Sequence, residues 1–333
     1  MSGWNQKSGV LKELVLSEDE IWSKFNFVFS DSSRKRNTYK FGLLKSIFDN
    51  TFNMISTDMG MFLSYEKIFS KFSENYWNLV VKYDLKQMRP DGKSRFSKIE
   101  TILKNIVNDN NALISVDYNS IDKDTQNKIL KKVITECKKN VIGALYDDFD
   151  GTIYSFDLKG SGVYINKCIY SFIQKHKMEL EKLNYYSWAK FLEKVNDESA
   201  LIRVIDKLEL STPKRDNLSV YRELLYKEFE EHNCFYCGKK LLRKIHVDHF
   251  IPWSFIKEDK IWNFVLACPT CNIKKTNKLA NFKYIDIIES RNKDINNINN
   301  RIIKMDFEGY YDGLLKRLWY YARYSGIKEF HQK

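Results

Sequence analysis

Two kinds of metal-binding side chain alternate in one short stretch of the chain, from Cys234 to Lys278. The cysteines form two Cys-x-x-Cys pairs, Cys234 with Cys237 and Cys268 with Cys271. Zinc takes four soft ligands in a tetrahedron, and each pair offers two thiolates. The alternatives are buried thiols or two disulfides, and disulfides fit poorly in a chain without a secretion signal. We therefore predict a structural Zn²⁺ site.

About 30 residues separate the two pairs, which leaves room for a second site. Asp248 and Asn272 are oxygen ligands that suit a hard cation such as Mg²⁺ or Mn²⁺. His249 beside that cation can act as a general base for a water molecule. Lys275 lies three residues after Asn272 on the same helix face and could meet a phosphate. This set predicts one-metal hydrolysis of a phosphodiester bond.

The elements that must position these side chains are two strands and a helix. Residues 241–250 and 262–267 have the pattern of strands, and Pro269 fits the first position of a helix. In a regular strand the neighbours Asp248 and His249 point to opposite faces. They can share one cleft only if the chain leaves strand geometry at that point.

The order of these motifs resembles that of a known family. Val247-Asp-His-Phe-Ile-Pro252, then Asn263-Phe-Val-Leu-Ala-Cys-Pro-Thr-Cys-Asn272 and Lys275, resemble the HNH (ββα-metal) nuclease superfamily in its four-cysteine, zinc-bearing form. The segment from Val247 to Asn263 also resembles the HNH domain of RNA-guided CRISPR nucleases. The resemblance covers roughly a fifth of the chain.

The resemblance implies a role for each residue of the second site. Asp248 and Asn272 would hold the catalytic Mg²⁺ or Mn²⁺, and His249 would activate water. Asn263 would steady the loop that carries His249, and Lys275 completes the catalytic set.

Further side chains near the site have open alternatives. His246 could be an outer-sphere group or a third ligand of the metal, although a histidine on a strand surface is the simpler interpretation. Candidate contacts to nucleic acid are Lys239, Lys240, Arg243, Lys244, Lys274 and Lys278. The first four could instead offset the negative charge of a four-thiolate zinc site.

The charge of the chain, taken together with the site, favours nucleic acid as a partner. The 333 residues are 43% hydrophobic and carry a formal net charge of +12, which suits a polyanion such as DNA. A solvated, lysine-rich surface would give the same charge. Because no apolar run reaches about 18 residues and no signal-peptide pattern is present, we predict no membrane span and a cytoplasmic location.

We predict a mainly α (α+β) fold. A helical N-terminal region with one hairpin precedes a small ββα-metal zinc-bound nuclease domain and a C-terminal helix. The predicted boundaries are 1–210, a linker at 211–218, 219–290 for the nuclease domain and 291–333 for a helical extension. The role of region 1–210 is unassigned; it could bind DNA, a partner or a signal.

Local patterns add four smaller predictions. Ser17-Glu-Asp-Glu20 is a candidate capping box, and Lys159-Gly-Ser-Gly162 is the turn of the hairpin. The Asn-rich residues 292–300 favour a loop. Tyr185, Tyr186 and Trp188 could stack on bases, but core packing is the simpler interpretation.

The leading hypothesis is a metal-dependent DNA endonuclease in restriction, anti-phage defence or a mobile element. The alternatives are a non-catalytic zinc-bound module that binds nucleic acid and a ribonuclease that uses the same site. Because the chain carries one such site and a duplex has two strands, a homodimer is also predicted, and a defence-system protein is a possible partner.

Overall fold

The computed structural model describes residues 6–12, 15–90, 94–211, 218–227, 232–242 and 244–331. The chain divides into two compact units, one of residues 1–173 with 179–213 and one of residues 174–178 with 214–333. Most of the predicted linker, residues 212–217, lies outside the described ranges. Within those ranges no helix is long and apolar enough to cross a membrane.

The first part of the chain is mainly helical, as predicted. Its helices are α1 (Glu18–Phe29), α2 (Tyr39–Asp49), α3 (Tyr65–Trp77), α4 (Lys98–Asp109), α5 (Lys123–Asp148), α6 (Lys167–Lys175), α7 (Lys177–Glu193), α8 (Glu198–Leu201) and α9 (Val204–Leu210). The predicted capping box begins α1, where Ser17 and Glu20 each accept a hydrogen bond from the other's backbone N–H.

A five-stranded antiparallel sheet completes the first unit. Its strands are β1 (Ser8–Gly9), β2 (Ile55–Thr57), β3 (Gly60–Ser64), β4 (Tyr154–Asp157) and β5 (Gly162–Ile165), in the order β1-β4-β5-β3-β2. The predicted hairpin is the β4–β5 pair, with Phe156 opposite Val163. The other three strands were not predicted, because segments of two to five residues show too little alternation.

Helices and sheet enclose a core rich in aromatic side chains. Phe72 and Tyr76 of α3 lie 4.5 Å apart between ring centroids, and the ring of Tyr76 lies 5.6 Å from that of Trp188. Tyr185 and Trp188 are 2% and 1% exposed, whereas Tyr186 between them is 61% exposed. Two of the three candidate stacking residues are therefore core residues, and Tyr186 is not.

The second unit contains a two-stranded sheet among helices. In chain order its elements are α10 (Ser219–Lys227), β6 (His246–His249), α11 (Trp253–Ile256), β7 (Phe264–Ala267), α12 (Pro269–Lys275), α13 (Ile285–Asn296), α14 (Arg301–Phe307) and α15 (Leu314–Tyr324). Strands β6 and β7 are antiparallel, with Asp248 opposite Val265 and His249 opposite Phe264. Pro269 begins α12, as predicted.

The C-terminal helices hold the connection before β7 in place. Arg291 of α13 donates hydrogen bonds to the backbone carbonyls of Phe264 and Trp262, and Asn292 donates to Trp262 at 2.9 Å. Burial lowers the pKa of Arg291 to about 10. The loop predicted at 292–300 is wrong in its first half, since α13 continues to Asn296 and buries Asn292 as a partner of Trp262.

Candidate active site

The first cysteine pair lies in a tight turn that is fastened to strand β7. The carbonyl of Cys234 accepts from Gly238 N–H at 2.8 Å, and Gly238 has φ +69°, a conformation that glycine adopts readily. The N–H of Phe235 donates to the carbonyl of Leu266 in β7 at 2.9 Å. The turn therefore presents Cys234 and Cys237 beside the end of the hairpin.

The second cysteine pair forms the start of α12. Cys268 is the N-cap of this helix, and its Sγ accepts from the backbone N–H of Cys271 at 3.4 Å. Burial raises the pKa of Cys268, but hydrogen bonds from Cys271, and then from Cys234 and Cys237, lower it to about 7. Burial raises the pKa of Cys234 and Cys271, so a bound cation is what would hold all four sulfur atoms as thiolates.

The distances between the four sulfur atoms are close to those in a tetrahedral zinc site. All four Sγ atoms lie within 4.8 Å of one another, and those of Cys237 and Cys268 are 3.9 Å apart. A tetrahedron with Zn–S bonds of about 2.3 Å has sulfur–sulfur edges of about 3.8 Å. The cysteines are therefore positioned to bind a metal ion, and their chemistry fits zinc.

Asp248 lies on one face of β6 and is held by two buried donors. Its Oδ2 accepts from Tyr236 Oη at 2.6 Å and lies 3.1 Å from Lys275 Nζ. Asp248 itself is 6% exposed. Burial, followed by the charge of Asp248, raises the pKa of Tyr236. One carboxylate oxygen is therefore fixed by the protein.

Lys275 does not lie where a phosphate could meet it. Its side chain is 0% exposed, and its Nζ also donates to the backbone carbonyl of His249 at 2.6 Å. The prediction that Lys275 contacts a phosphate is therefore wrong, because the ammonium is buried between Asp248 and the carbonyl of His249. Because α12 packs over β6, the last turn of the helix carries the ammonium inward to Asp248 and His249.

Asn272 lies over the same face of β6. Its Nδ2 is 2.8 Å from Nδ1 of His246, and His246 shares a strand face with Asp248, two residues on. With its nitrogen committed to His246, Asn272 has its carboxamide oxygen to offer to a cation. His246 thus contacts a predicted metal ligand, and its role as an outer-sphere group stays a prediction.

His249 has different partners from Asp248. Its Nε2 lies 2.9 Å from Oδ1 of Asp259, and its ring packs against Phe264 with centroids 4.6 Å apart. It is the last residue of β6, opposite Phe264, so the strand ends directly after His249. That end of the strand lies where we expected the chain to leave strand geometry, at the pair Asp248 and His249.

Residues 234–278 match the family model of HNH endonucleases. The match spans the four-cysteine cluster, and its cysteines correspond to the zinc-bearing HNH form. No curated protein and no solved structure matches the chain.

Asn263 closes the loop of the HNH segment that follows His249. Its Oδ1 accepts from Ile251 N–H at 2.8 Å, and its Nδ2 donates to the Ile251 carbonyl at 2.9 Å. The carbonyl of Asn263 also accepts from Phe250 N–H at 2.7 Å. These bonds tie both ends of the connection between the two strands, directly beside His249.

The described basic side chains that were predicted to contact nucleic acid lie at the surface, whereas Asp248, His249 and Lys275 are buried. The candidate nucleic-acid contacts within the described ranges are exposed: Lys239, Lys240, Lys244, Lys274 and Lys278. Arg243 lies outside those ranges. The exposed lysines are accessible to a large anionic substrate.

Three residues of the site were not predicted from the sequence. Tyr236 holds Asp248, Asp259 holds His249, and Arg222 of α10 lines a cavity of about 230 Å³ together with His246 and Asn272. Only Tyr236 had a signal, its position between two cysteines. The other two lie in segments without a motif, and only the fold brings them to the site.

Proposed function

We propose that this chain is a metal-dependent endonuclease that hydrolyses phosphodiester bonds of duplex DNA at the HNH segment. The observation that supports the proposal is the contact between Asn272 and His246, since His246 shares a strand face with Asp248. Two oxygen donors from different elements then share one side of the hairpin.

The donor set fits a hard divalent cation. Oδ2 of Asp248 is engaged by Tyr236 and Lys275, so Oδ1 and the carboxamide oxygen of Asn272 would hold Mg²⁺ or Mn²⁺. When bound, such an ion polarises a phosphodiester and stabilises its developing charge. Tyr236 and Lys275 hold the Asp248 carboxylate in one orientation before any ion arrives.

His249 is the proposed general base. Asp259 accepts a hydrogen bond from Nε2–H, so Nδ1 is the ring nitrogen that takes a proton from water. The Lys275 ammonium fixes the backbone carbonyl of His249, and Phe264 supports the ring. A base held by a carboxylate in this way has a set tautomer and needs little reorganisation to act.

The substrate is proposed to be nucleic acid because of the charges around the site. Arg222 lines the cavity beside His246 and Asn272, where a guanidinium can pair with a phosphate. The exposed lysines of the HNH segment and the net charge of +12 extend this attraction.

The test is incubation of the purified protein with supercoiled plasmid and with RNA, in Mg²⁺, in Mn²⁺ and in EDTA. We expect metal-dependent cleavage of the plasmid. His249→Ala should reduce the rate by about a hundredfold or more while DNA binding is kept. The matched control is His331→Ala, since His331 is an exposed histidine outside the HNH segment.

Other outcomes select the alternatives. Cleavage of RNA but not of DNA identifies a ribonuclease. Binding without cleavage in any metal identifies a non-catalytic zinc-bound module. Full activity of His249→Ala contradicts the proposed base. The biological setting that we propose, restriction, anti-phage defence or a mobile element, rests on the family resemblance alone. Phage plating on cells that express the wild-type chain or His249→Ala tests the defence role.

A further inference from the structure

A cavity of about 630 Å³ lies in the first unit, within the region to which the sequence assigns no role. Its walls are the chain after α1, the start of α2, Arg89 with Pro90, and one face of α7. Ligand sites in proteins commonly enclose about 300–1,000 Å³, so this cavity has the size for a small organic molecule or one nucleotide.

The charges that line the cavity are strongly one-sided. Among the lining residues that the structure describes, one is a carboxylate, Asp31, and five are cations, of which Lys190 also lies 2.8 Å from Glu193; the cations are Lys35, Arg36, Arg89, Lys190 and Lys194. Lys194 lies 3.4 Å from Asp31, but both side chains are largely exposed, so this pair is weak. The cavity therefore attracts an anion, and its two arginines offer planar donors that suit phosphate oxygens.

Lys35 is a fixed cation within this set. Its Nζ donates to the carbonyls of Ser30 at 2.7 Å and Ser33 at 3.0 Å, and it lies 5.4 Å from the ring centroid of Phe41. Burial, and then the charge of Lys40, lowers the pKa of Lys35 to about 8. The two carbonyls fix the position of the ammonium. An anion bound beside Lys35 would stabilise its charged form, which burial disfavours.

Aromatic rings line the same cavity. Phe41 is buried and Phe29 and Phe191 are half-buried, whereas Tyr186 is 61% exposed on α7. The neighbours Tyr185 and Trp188 belong to the core, whereas Tyr186 lines the cavity. An exposed tyrosine face beside several cations is the arrangement that binds a base and its phosphate together.

We propose that this cavity binds a nucleotide, with the base stacked on Tyr186 and the phosphate held by Lys35, Arg36 and Arg89. The shared chemistry is a nucleobase that carries a phosphate. It could come from a free nucleotide or from the end of a single strand. An acidic peptide is disfavoured because it would leave the ring of Tyr186 without a stacking partner. This site lies outside the HNH segment, so the proposal stands apart from nuclease activity.

The test measures equilibrium binding to the 333-residue chain in EDTA, so that nothing is cleaved. The probes are ATP, GTP, CTP and UTP, the four deoxynucleotide counterparts, and a fluorescein-labelled 12-nucleotide single strand. Pyrophosphate and a poly-glutamate peptide are the comparison anions. Wild type should bind at least one nucleotide or the strand at least about tenfold more tightly than either comparison anion.

Two cavity variants and two matched controls assign that binding to the cavity. Tyr186→Ala and Arg89→Ala should each weaken it by about tenfold. Tyr324→Ala removes another exposed tyrosine and Lys182→Ala another exposed cation of α7, and both should bind within about twofold of wild type. Thermal unfolding of each variant shows that it is folded.

Each outcome of the binding test either supports or overturns the proposed nucleotide site. Tight binding of a mononucleotide that depends on Tyr186 supports a free-nucleotide site, and binding of the strand alone with the same dependence supports a strand-end site. The proposal is overturned if no probe binds, if pyrophosphate or the peptide binds as well as the nucleotides, or if Tyr186→Ala binds like wild type. Failure of plasmid cleavage would leave all of these results unaffected.

Discussion

His249 and Asp248 are adjacent in the chain, yet each is held by a different set of partners. Asp259 contacts the His249 ring, while Tyr236 and Lys275 contact the Asp248 carboxylate. The proposed base and the proposed metal ligand are thus oriented by separate partners, although they are neighbours in the chain.

Asp259→Asn tests the orientation of the base. The amide keeps the size of the side chain but loses the negative charge that, in the proposed mechanism, orients the His249 ring through Nε2. We expect metal-dependent plasmid cleavage to slow by about tenfold or more, as for other outer-sphere partners of catalytic groups. Asp286→Asn, at an exposed position of α13, is the control. An undiminished rate in Asp259→Asn would remove Asp259 from the mechanism.

Lys275→Met tests the buried ion pair. Lys275 is 0% exposed and Asp248 is 8% exposed at the side chain, so losing the ammonium leaves a buried carboxylate without its counter-charge. Removing one partner of such a pair costs about 3–5 kcal/mol. Hydrogen exchange of the β6 and β7 amides should show a decrease of this size in the free energy of opening. Lys274→Met, one residue earlier and exposed, should report almost none. Equal protection in the two variants would refute a stabilising role for the pair.

Sequence reasoning finds some of these residues and misses others for a physical reason. The cysteine pairs, Asp248, His249 and Asn272 occur in local patterns with a chemical meaning, so they could be singled out from the sequence. Asp259 is ten residues from His249, and no spacing rule connects a loop carboxylate to a strand histidine. The burial of Lys275 could not be predicted from the sequence either, because lysines usually lie at the surface. Only the packing of α12 on β6 buries this one.

At the scale of elements, the cysteine cluster links the turn at residues 234–238 to the first turn of α12. Asn272 directly follows Cys271, so a metal in the cluster would fix the helix that presents a proposed catalytic ligand. The position of Cys268 as N-cap ties the same sulfur atom to the backbone of α12.

Cys237→Ser tests this link. We expect about one tightly held zinc per wild-type chain and a loss of zinc in the variant, with reduced solubility and faster hydrogen exchange in α12. The reason is that the binding free energy of a structural zinc is part of the folding free energy of its domain. Cys168→Ser, outside the cluster, should keep its zinc. Well-folded wild-type protein without zinc would contradict the assignment.

The elements themselves were predictable in proportion to their length. Helices with a long apolar stripe, such as α3 and α5, have many turns that repeat one signal. Strand β2 has three residues and gains its stability from pairing with β3, which is a tertiary effect. The misplaced loop at residues 292–300 has a similar cause. Asparagine favours loops, but Asn292 is retained in α13 by its hydrogen bond to Trp262.

At the scale of the whole molecule, the chain has one HNH segment, whereas the proposed duplex substrate has two strands. A single such site hydrolyses one bond at a time, so a double-strand break needs two sites or one that reorients. Duplex strands are related by local twofold axes, and a C2 dimer would place a site on each.

We therefore predict a dimer that converts supercoiled plasmid into linear product. Light scattering gives the mass of the particle, and gel analysis of the plasmid gives the ratio of nicked to linear DNA. A mixed sample of wild type and His249→Ala is the control, since a dimer with one active site should yield mainly nicked circles. A monomer that produces only nicked circles would refute the dimer and leave the nuclease assignment intact.

The convergence of four distant sulfur atoms has a topological consequence. Between Cys237 and Cys268 the chain departs from the cluster and returns to it. Once zinc is bound, the intervening residues form a closed ring of covalent and coordinate bonds. A protease cut at an exposed residue of this ring, such as Lys244, would leave two fragments anchored to one ion. The fragments would run as two bands under denaturing conditions, yet they would separate under native conditions only after a chelator removed the zinc.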